Sequence, residues 1–134
     1  MNHRILLAEK LRAAGISPTS QRLDIAEITL SEPKHSSADE VLTALKKDGA
    51  RVSKATVYNT LNLFCDKGLL KTVVVDPERQ YYDSTTHDHH HIYNIDTGEL
   101  IDVNPEHIQL SVDVKIPENT LPAGTEVILK VKCQ

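Results

Sequence analysis

The sequence predicts an α+β fold in two parts. Residues 1–83 form four short helices closed by a two-stranded ribbon, and residues 84–134 form a small β-rich unit. Three observations carry this prediction. Apolar residues recur at helical spacing as far as Gly68 and mostly at alternating, strand-like spacing beyond it. Charge is uneven: residues 1–80 hold 12 Lys+Arg against 10 Asp+Glu, whereas residues 81–134 hold 3 against 9. Histidine is uneven too, with four of the seven gathered in Thr86-His87-Asp88-His89-His90-His91.

Composition bounds the answer. A chain of 134 residues can bury a core without disulfide staples, and with no Trp and one Phe that core is aliphatic. No apolar run reaches the ~18 residues that a membrane span needs. The apolar stretch near the N-terminus is too short for a signal peptide. Cys65 and Cys133 make no CxxC pair, so free thiols in a reducing, cytoplasmic setting are expected. All five arginines lie in the first part. A basic half joined to an acidic, histidine-rich half implies a polyanion partner for one and a cation for the other.

Taken in order, Ile5 to Ala14 carries Ile5, Leu6, Leu7, Ala8, Leu11 and Ala14 at helical spacing, and Gly15 stops it. Thr19 caps a second helix with Leu23, Ile25, Ala26, Ile28 and Leu30, ended by Glu32-Pro33. Ser37-Ala38-Asp39-Glu40 is a capping box that opens a third helix, with Val41, Leu42 and Leu45 inward and Asp48-Gly49 at its end. Ser53 caps a fourth, running to Gly68 with Val57, Leu61 and Phe64 as its buried stripe. Leu69–Val75 and Arg79–Asp83 read as strands joined by a turn at Asp76-Pro77-Glu78. His35 falls in a loop before the third helix. Helices followed by such a ribbon have the layout of a winged helix.

In the second part, Ile92–Ile95 and Leu100–Val103 flank the hairpin signal Asp96-Thr97-Gly98-Glu99. Asn104–Ile108 reads as one helical turn and Val112–Ile116 as a half-buried strand. Thr125–Cys133 alternates with Val127, Leu129, Val131 and Cys133 on one face. Its edges suit pairing with a second copy, which makes this a dimerisation domain.

Opposite its buried stripe the fourth helix presents Ala55, Tyr58, Asn59 and Asn62, with Lys54 and Thr56 in its first turn, where a helix N-terminus meets phosphate. Asparagine bonds adenine through two hydrogen bonds, and Ala or the Tyr ring packs on a thymine methyl. No arginine is offered to guanine, so the expected partner is an A·T-rich double-stranded DNA operator. Phosphate contacts are assigned to Arg12, Arg22, Lys54, Lys71 and Arg79, while Arg51 could simply solvate a loop. Within the histidine run, His89 and His91 share one strand face. Imidazoles at this spacing, backed by carboxylates, suit a borderline divalent metal.

Ser53-Lys54-Ala55-Thr56-Val57-Tyr58-Asn59-Thr60-Leu61 resembles the recognition-helix signature of the ferric-uptake-regulator (Fur) superfamily. His35-Ser36-Ser37-Ala38-Asp39-Glu40-Val41, Tyr82-Asp83 and Asp88-His89-His90-His91 follow at the family's spacing, and the match runs through Val103. The resemblance implies an N-terminal winged-helix DNA-binding domain plus a small C-terminal β-rich dimerisation domain. It implies a homodimeric, metal-dependent repressor that is not an enzyme. It places regulatory ligands on His35, Asp83, His89, His91 and Asp102, and a possible secondary site on Asp88 and His90. Fe²⁺ or Mn²⁺ is the implied cofactor, with Zn²⁺ able to substitute in vitro. Aspartate at 102 leans toward the family's peroxide sensors, the PerR-like branch. The family's structural zinc site would begin at Asn94, Thr97 and Cys133, so no structural zinc is expected. The same losses resemble the Irr-like branch, which answers to iron or haem.

Two inferences complete this reading. If Thr97-Gly98 is a two-residue turn, Asp102 lies opposite Tyr93, on the face of His91 and diagonal to it. A metal held by both halves would act as a clasp, and Fe²⁺ beside imidazoles would react with peroxide and oxidise His35 or His89. The competing class is a non-haem Fe(II) oxygenase built on two histidines and a carboxylate. A second part of about 50 residues is too small for an enclosed substrate pocket.

Overall fold

The computed structural model describes residues 2–87 and 89–134. It divides into two compact units between Thr86 and His87.

The first unit holds α1 (His3–Ala13), α2 (Ser20–Thr29), β1 (His35–Ser37), α3 (Ala38–Lys47), α4 (Lys54–Asp66), β2 (Lys71–Asp76) and β3 (Arg79–Asp83). Each helix starts where a side chain accepts a backbone N–H that would otherwise lack a partner. Asn2 caps α1, Thr19 caps α2, and Ser53 caps α4. Ser37 and Glu40 form the reciprocal capping box of α3. Gly15, Gly49 and Gly68 follow α1, α3 and α4 at φ near 80°, a left-handed conformation that a Cβ disfavours. Arg4 bonds Asp24 at 3.0 Å and Glu27 at 3.1 Å, tying α1 to α2. The core is mainly aliphatic around the rings of Phe64 and Tyr82: Leu11, Ile25, Val41, Val57, Leu61 and Phe64 are all fully buried.

The ribbon is a three-stranded antiparallel sheet in the order β1-β3-β2. His35 therefore stands on a strand, directly across from Asp83, and not in a loop. Three residues too short to show alternation become a strand because β3 offers them a ladder. Lys71 pairs with Asp83 from the other side, so His35, Asp83 and Lys71 form one cross-sheet row.

The second unit is a sheet in the order β5-β4-β6, with β4 His90–Asn94, β5 Leu100–Val103 and β6 Ile128–Val131. A single 3₁₀ turn covers Pro105–His107. Two expectations fail here. The β4–β5 loop is longer than two residues: Asn94 N–H bonds the Glu99 carbonyl, and Asp102 pairs with His91 instead of Tyr93. The shift is an even number of residues, so Asp102 keeps its face. Val112–Ile116 forms no strand, and its alternate residues Val112 and Val114 are exposed because no ladder lies beside them. β6 joins β4 in parallel with His91 opposite Ile128, which puts Ile128 on the His91 face and leaves Leu129 57% exposed.

Candidate metal centre

Residues 89–91 enter β4 with alternating burial: His89 and His91 are buried and His90 is intermediate. The period-two pleat explains the pattern, since odd positions face Tyr93 and Leu100 beneath the sheet. Across the ladder, Asp102 reaches both rings. Its Oδ1 lies 3.1 Å from His91 Nε2 and 3.5 Å from His89 Nε2. The two ring centroids are 4.5 Å apart.

The tautomer of His89 follows from its opposite nitrogen. His89 Nδ1 lies 2.8 Å from the His87 carbonyl oxygen. A carbonyl only accepts, so Nδ1 carries the proton and the Nε2 lone pair points toward Asp102. His91 Nδ1 faces Glu126 Oε1 at 3.4 Å. His90 differs: its Nδ1 accepts the backbone N–H of Val127 at 3.0 Å, which fastens β4 to the start of β6.

This donor set fits a borderline divalent ion. Two ligands about 2.1 Å from such an ion stand roughly 3.0 Å apart in an octahedron and roughly 3.4 Å apart in a tetrahedron. The two nitrogen–oxygen separations of 3.1 and 3.5 Å match those edges. One ligand atom from each of His89, His91 and Asp102 lies within 4.8 Å of the others. In the first unit, Asp83 is buried at the end of β3, and half-buried His35 sits across from it with its ring edge-on to Tyr81 at 5.9 Å. Asp88, a secondary position by resemblance, lies outside the described residues.

At the hairpin, Asn94 occupies the place where the resemblance would put a zinc thiolate. Its Oδ1 accepts the N–H groups of Asp96 and Thr97 at 2.9 and 3.1 Å. Its Nδ2 lies 3.7 Å from Cys133 Sγ, and Cys133 N–H donates to Asp96 Oδ2 at 2.8 Å. One amide side chain thus closes the turn and holds the end of the chain beside it.

The helix face expected to meet DNA is also in place within the first unit. Lys54, Tyr58, Asn59 and Asn62 are exposed on α4, opposite buried Val57, Leu61 and Phe64. Lys54 Nζ is 3.4 Å from Asp39 and 5.9 Å from the Tyr58 ring centroid. Thr56 Oγ1 accepts from Ser53 Oγ at 2.9 Å, and Asn62 Oδ1 accepts from Tyr82 Oη at 3.4 Å. Arg22 donates to the Ser17 carbonyl at 3.0 Å. Arg79 and Arg51 are exposed, while Lys71 shares its sheet row with Asp83. Glu126 is the residue that sequence reasoning missed. Nothing local in the sequence sets Glu126 apart, because its approach to His91 depends on the parallel pairing of β6 with β4.

The family model for the ferric uptake regulator family matches residues 13–120. The chain belongs to that family. A peroxide-responsive repressor, PerR, of Staphylococcus aureus is 38% identical over 92 residues, covering 69% of this chain and 62% of the relative. The match therefore spans less than two thirds of that relative's length. The ferric uptake regulator of Vibrio cholerae superposes with a TM-score of 0.72 at 27% identity, covering 94% of this chain and 98% of its own. The ferric uptake regulator of Pseudomonas aeruginosa, solved with manganese, gives 0.71 at 26% identity, covering 94% and 96%. No helix of the described residues is long and apolar enough to cross a membrane.

Proposed function

We propose that this protein is a metal-dependent transcriptional regulator, a repressor that binds an A·T-rich palindrome as a homodimer and loses its grip under peroxide. The observation that carries this reading is the convergence of two buried imidazole Nε2 atoms on the Asp102 carboxylate. Two buried imidazoles and a half-exposed carboxylate so arranged offer nitrogen and oxygen donors that suit a borderline divalent cation. The similarity to a peroxide-responsive repressor points the same way.

His35 and Asp83 complete the proposed ligand set from the first unit. Asp83 and His89 are six residues apart in sequence, so the chain between them spans at most about 20 Å. The His35–Asp83 row and the His89–His91–Asp102 trio then act as two jaws of one clasp. Closing the jaws fixes the orientation of α4, whose Tyr58, Asn59 and Asn62 read base edges while Arg22, Lys54, Lys71, Arg79 and the first-turn N–H groups near Thr56 hold phosphates. Two such helices must enter successive major grooves about 34–36 Å apart, which is why a loose pair binds poorly. Turning a 1:99 population of the closed form into 99:1 needs about 5.5 kcal/mol of differential metal affinity.

A second copy is supported by one sheet face. Ile101, Ile92 and Leu129 lie in a single row across β5, β4 and β6, and Ile101 and Leu129 are 45% and 57% exposed. Fe²⁺, when bound, would supply one electron to split peroxide; His35 or His89 would take up one oxygen atom and return an electron to the iron, and the other oxygen would leave as water. Mn²⁺ would bind the same residues without that chemistry.

Binding of an A·T-rich palindrome, followed before and after strong chelation and again after Mn²⁺ add-back, tests the clasp. Affinity should fall on chelation and return with Mn²⁺; affinity indifferent to both treatments would refute it. Peptide mass analysis after mild peroxide should find the added oxygen on His35 or His89 in the Fe-loaded form and not in the Mn-loaded form.

A further inference from the structure

Glu126, with its side chain 30% exposed, lies two residues before β6 and has no place in the ligand set. Its side chain nevertheless meets that set from behind. Glu126 Oε1 is 3.4 Å from Nδ1 of His91, whose side chain is 1% exposed, while His91 Nε2 lies 3.1 Å from Asp102. The backbone holds this approach in register. Val127 accepts the His91 N–H at 3.1 Å and donates its own N–H to His90 Nδ1 at 3.0 Å. Parallel pairing of His91 with Ile128 puts Glu126 on the His91 face of the sheet. Three contacts therefore join two consecutive residues, 126 and 127, to two consecutive histidines.

We propose that Glu126 is the positioning residue for His91. Its carboxylate holds the ring proton on Nδ1, so that Nε2 offers a lone pair toward Asp102 and the metal. The physical need is plain at His91. Asp102 sits on its Nε2 side and would otherwise draw the ring proton there, leaving no nitrogen for a metal on the buried side. The neighbouring ligand solves the same problem with the His87 carbonyl, 2.8 Å from His89 Nδ1. A carboxylate behind a metal-bound imidazole also raises its basicity and fixes its plane, and losing such a partner typically weakens metal affinity about 10- to 100-fold. The present 3.4 Å separation is longer than a short charge-assisted bond and should tighten when the ring is ligated.

The inference rests on His91 being a metal ligand, and the experiment separates the two claims. Long-range ¹H–¹⁵N correlation spectra of the metal-free protein at about pH 8, where a free imidazole is neutral, report the tautomer directly. Wild-type His91 should carry its proton on Nδ1; a proton on Nε2 in the wild type would overturn the proposal without any variant. Glu126→Ala should move the proton toward Nε2 and weaken Zn²⁺ and Mn²⁺ binding about 10- to 100-fold in chelator competition. Glu126→Gln keeps an accepting oxygen and should retain the wild-type tautomer and most of the affinity. Wild-type affinity in Glu126→Ala, or equal loss in both variants with the tautomer unmoved, would also overturn it. If the wild type binds neither ion, the clasp reading fails instead.

Discussion

At the scale of single residues, environment and not residue type decides what each histidine and cysteine does. His89, His90 and His91 are chemically identical and consecutive. A pleat sends two of them beneath the sheet to Asp102 and turns the third to the backbone of Val127. The two thiols diverge in the same way. Burial among the packed helices, with Asp66 adding to it, pushes Cys65 up from its ordinary 9.0 to about 11. Cys133 is exposed. Because the thiolate is the nucleophile, iodoacetamide at about pH 8 should label Cys133 readily and Cys65 only slowly; comparable rates by peptide mapping would show that Cys65 is not held as the fold implies. The sign also follows for stability. A thiol that holds its proton to higher pH in the folded state loses folding free energy as pH climbs from 9.0 toward about 11.

At the scale of elements, most starts and stops were legible because they are local chemistry. Thr19, the Ser37–Glu40 box and Ser53 are caps that need only a neighbour two or three residues away. The hairpin between β4 and β5 shows where local reading stops. Thr97-Gly98 suggested a short turn, but Asn94 folds its side chain over the N–H groups of Asp96 and Thr97 and sets a longer loop. Asn94→Ala should therefore cost about 0.5–1.5 kcal/mol per lost bond, read from denaturant unfolding, with fraying at the β4–β5 turn by hydrogen exchange. An unchanged midpoint would mean that the turn closes without its side chain. Strand β1 lacked any signal of its own. Its three residues are extended because β3 lies beside them, and that pairing is what sets His35 across from Asp83.

At the scale of the whole molecule, the second unit leaves apolar side chains uncovered in a single copy. Its sheet has three strands, and the segment from Leu110 to Ile116 leaves alternate apolar side chains exposed. An apolar row of one residue per strand, Ile101-Ile92-Leu129, is the natural seat for a second copy. Leu129→Lys should shift sedimentation from dimer toward monomer. It should also weaken operator binding about 100-fold or more, because the second half-site is then no longer bound intramolecularly. A variant that stays dimeric would move the interface elsewhere.

The sequence by itself determined the helices, the buried stripe of Val57, Leu61 and Phe64, and the pairing of His89 with His91 on one face. All of these depend on periodicity and caps within one segment. Only the tertiary structure decided which carboxylate lies directly across from His91 and which strand lies behind it. Asp102 faces His91 through an antiparallel register set by a loop, and Glu126 reaches it through a parallel pairing across 35 residues of chain, from His91 to Glu126. Register between strands is a contest among whole faces, in which a slip of one residue exchanges inside for outside. The periodicity of one segment cannot reveal that Glu126, just before β6, comes within 3.4 Å of His91.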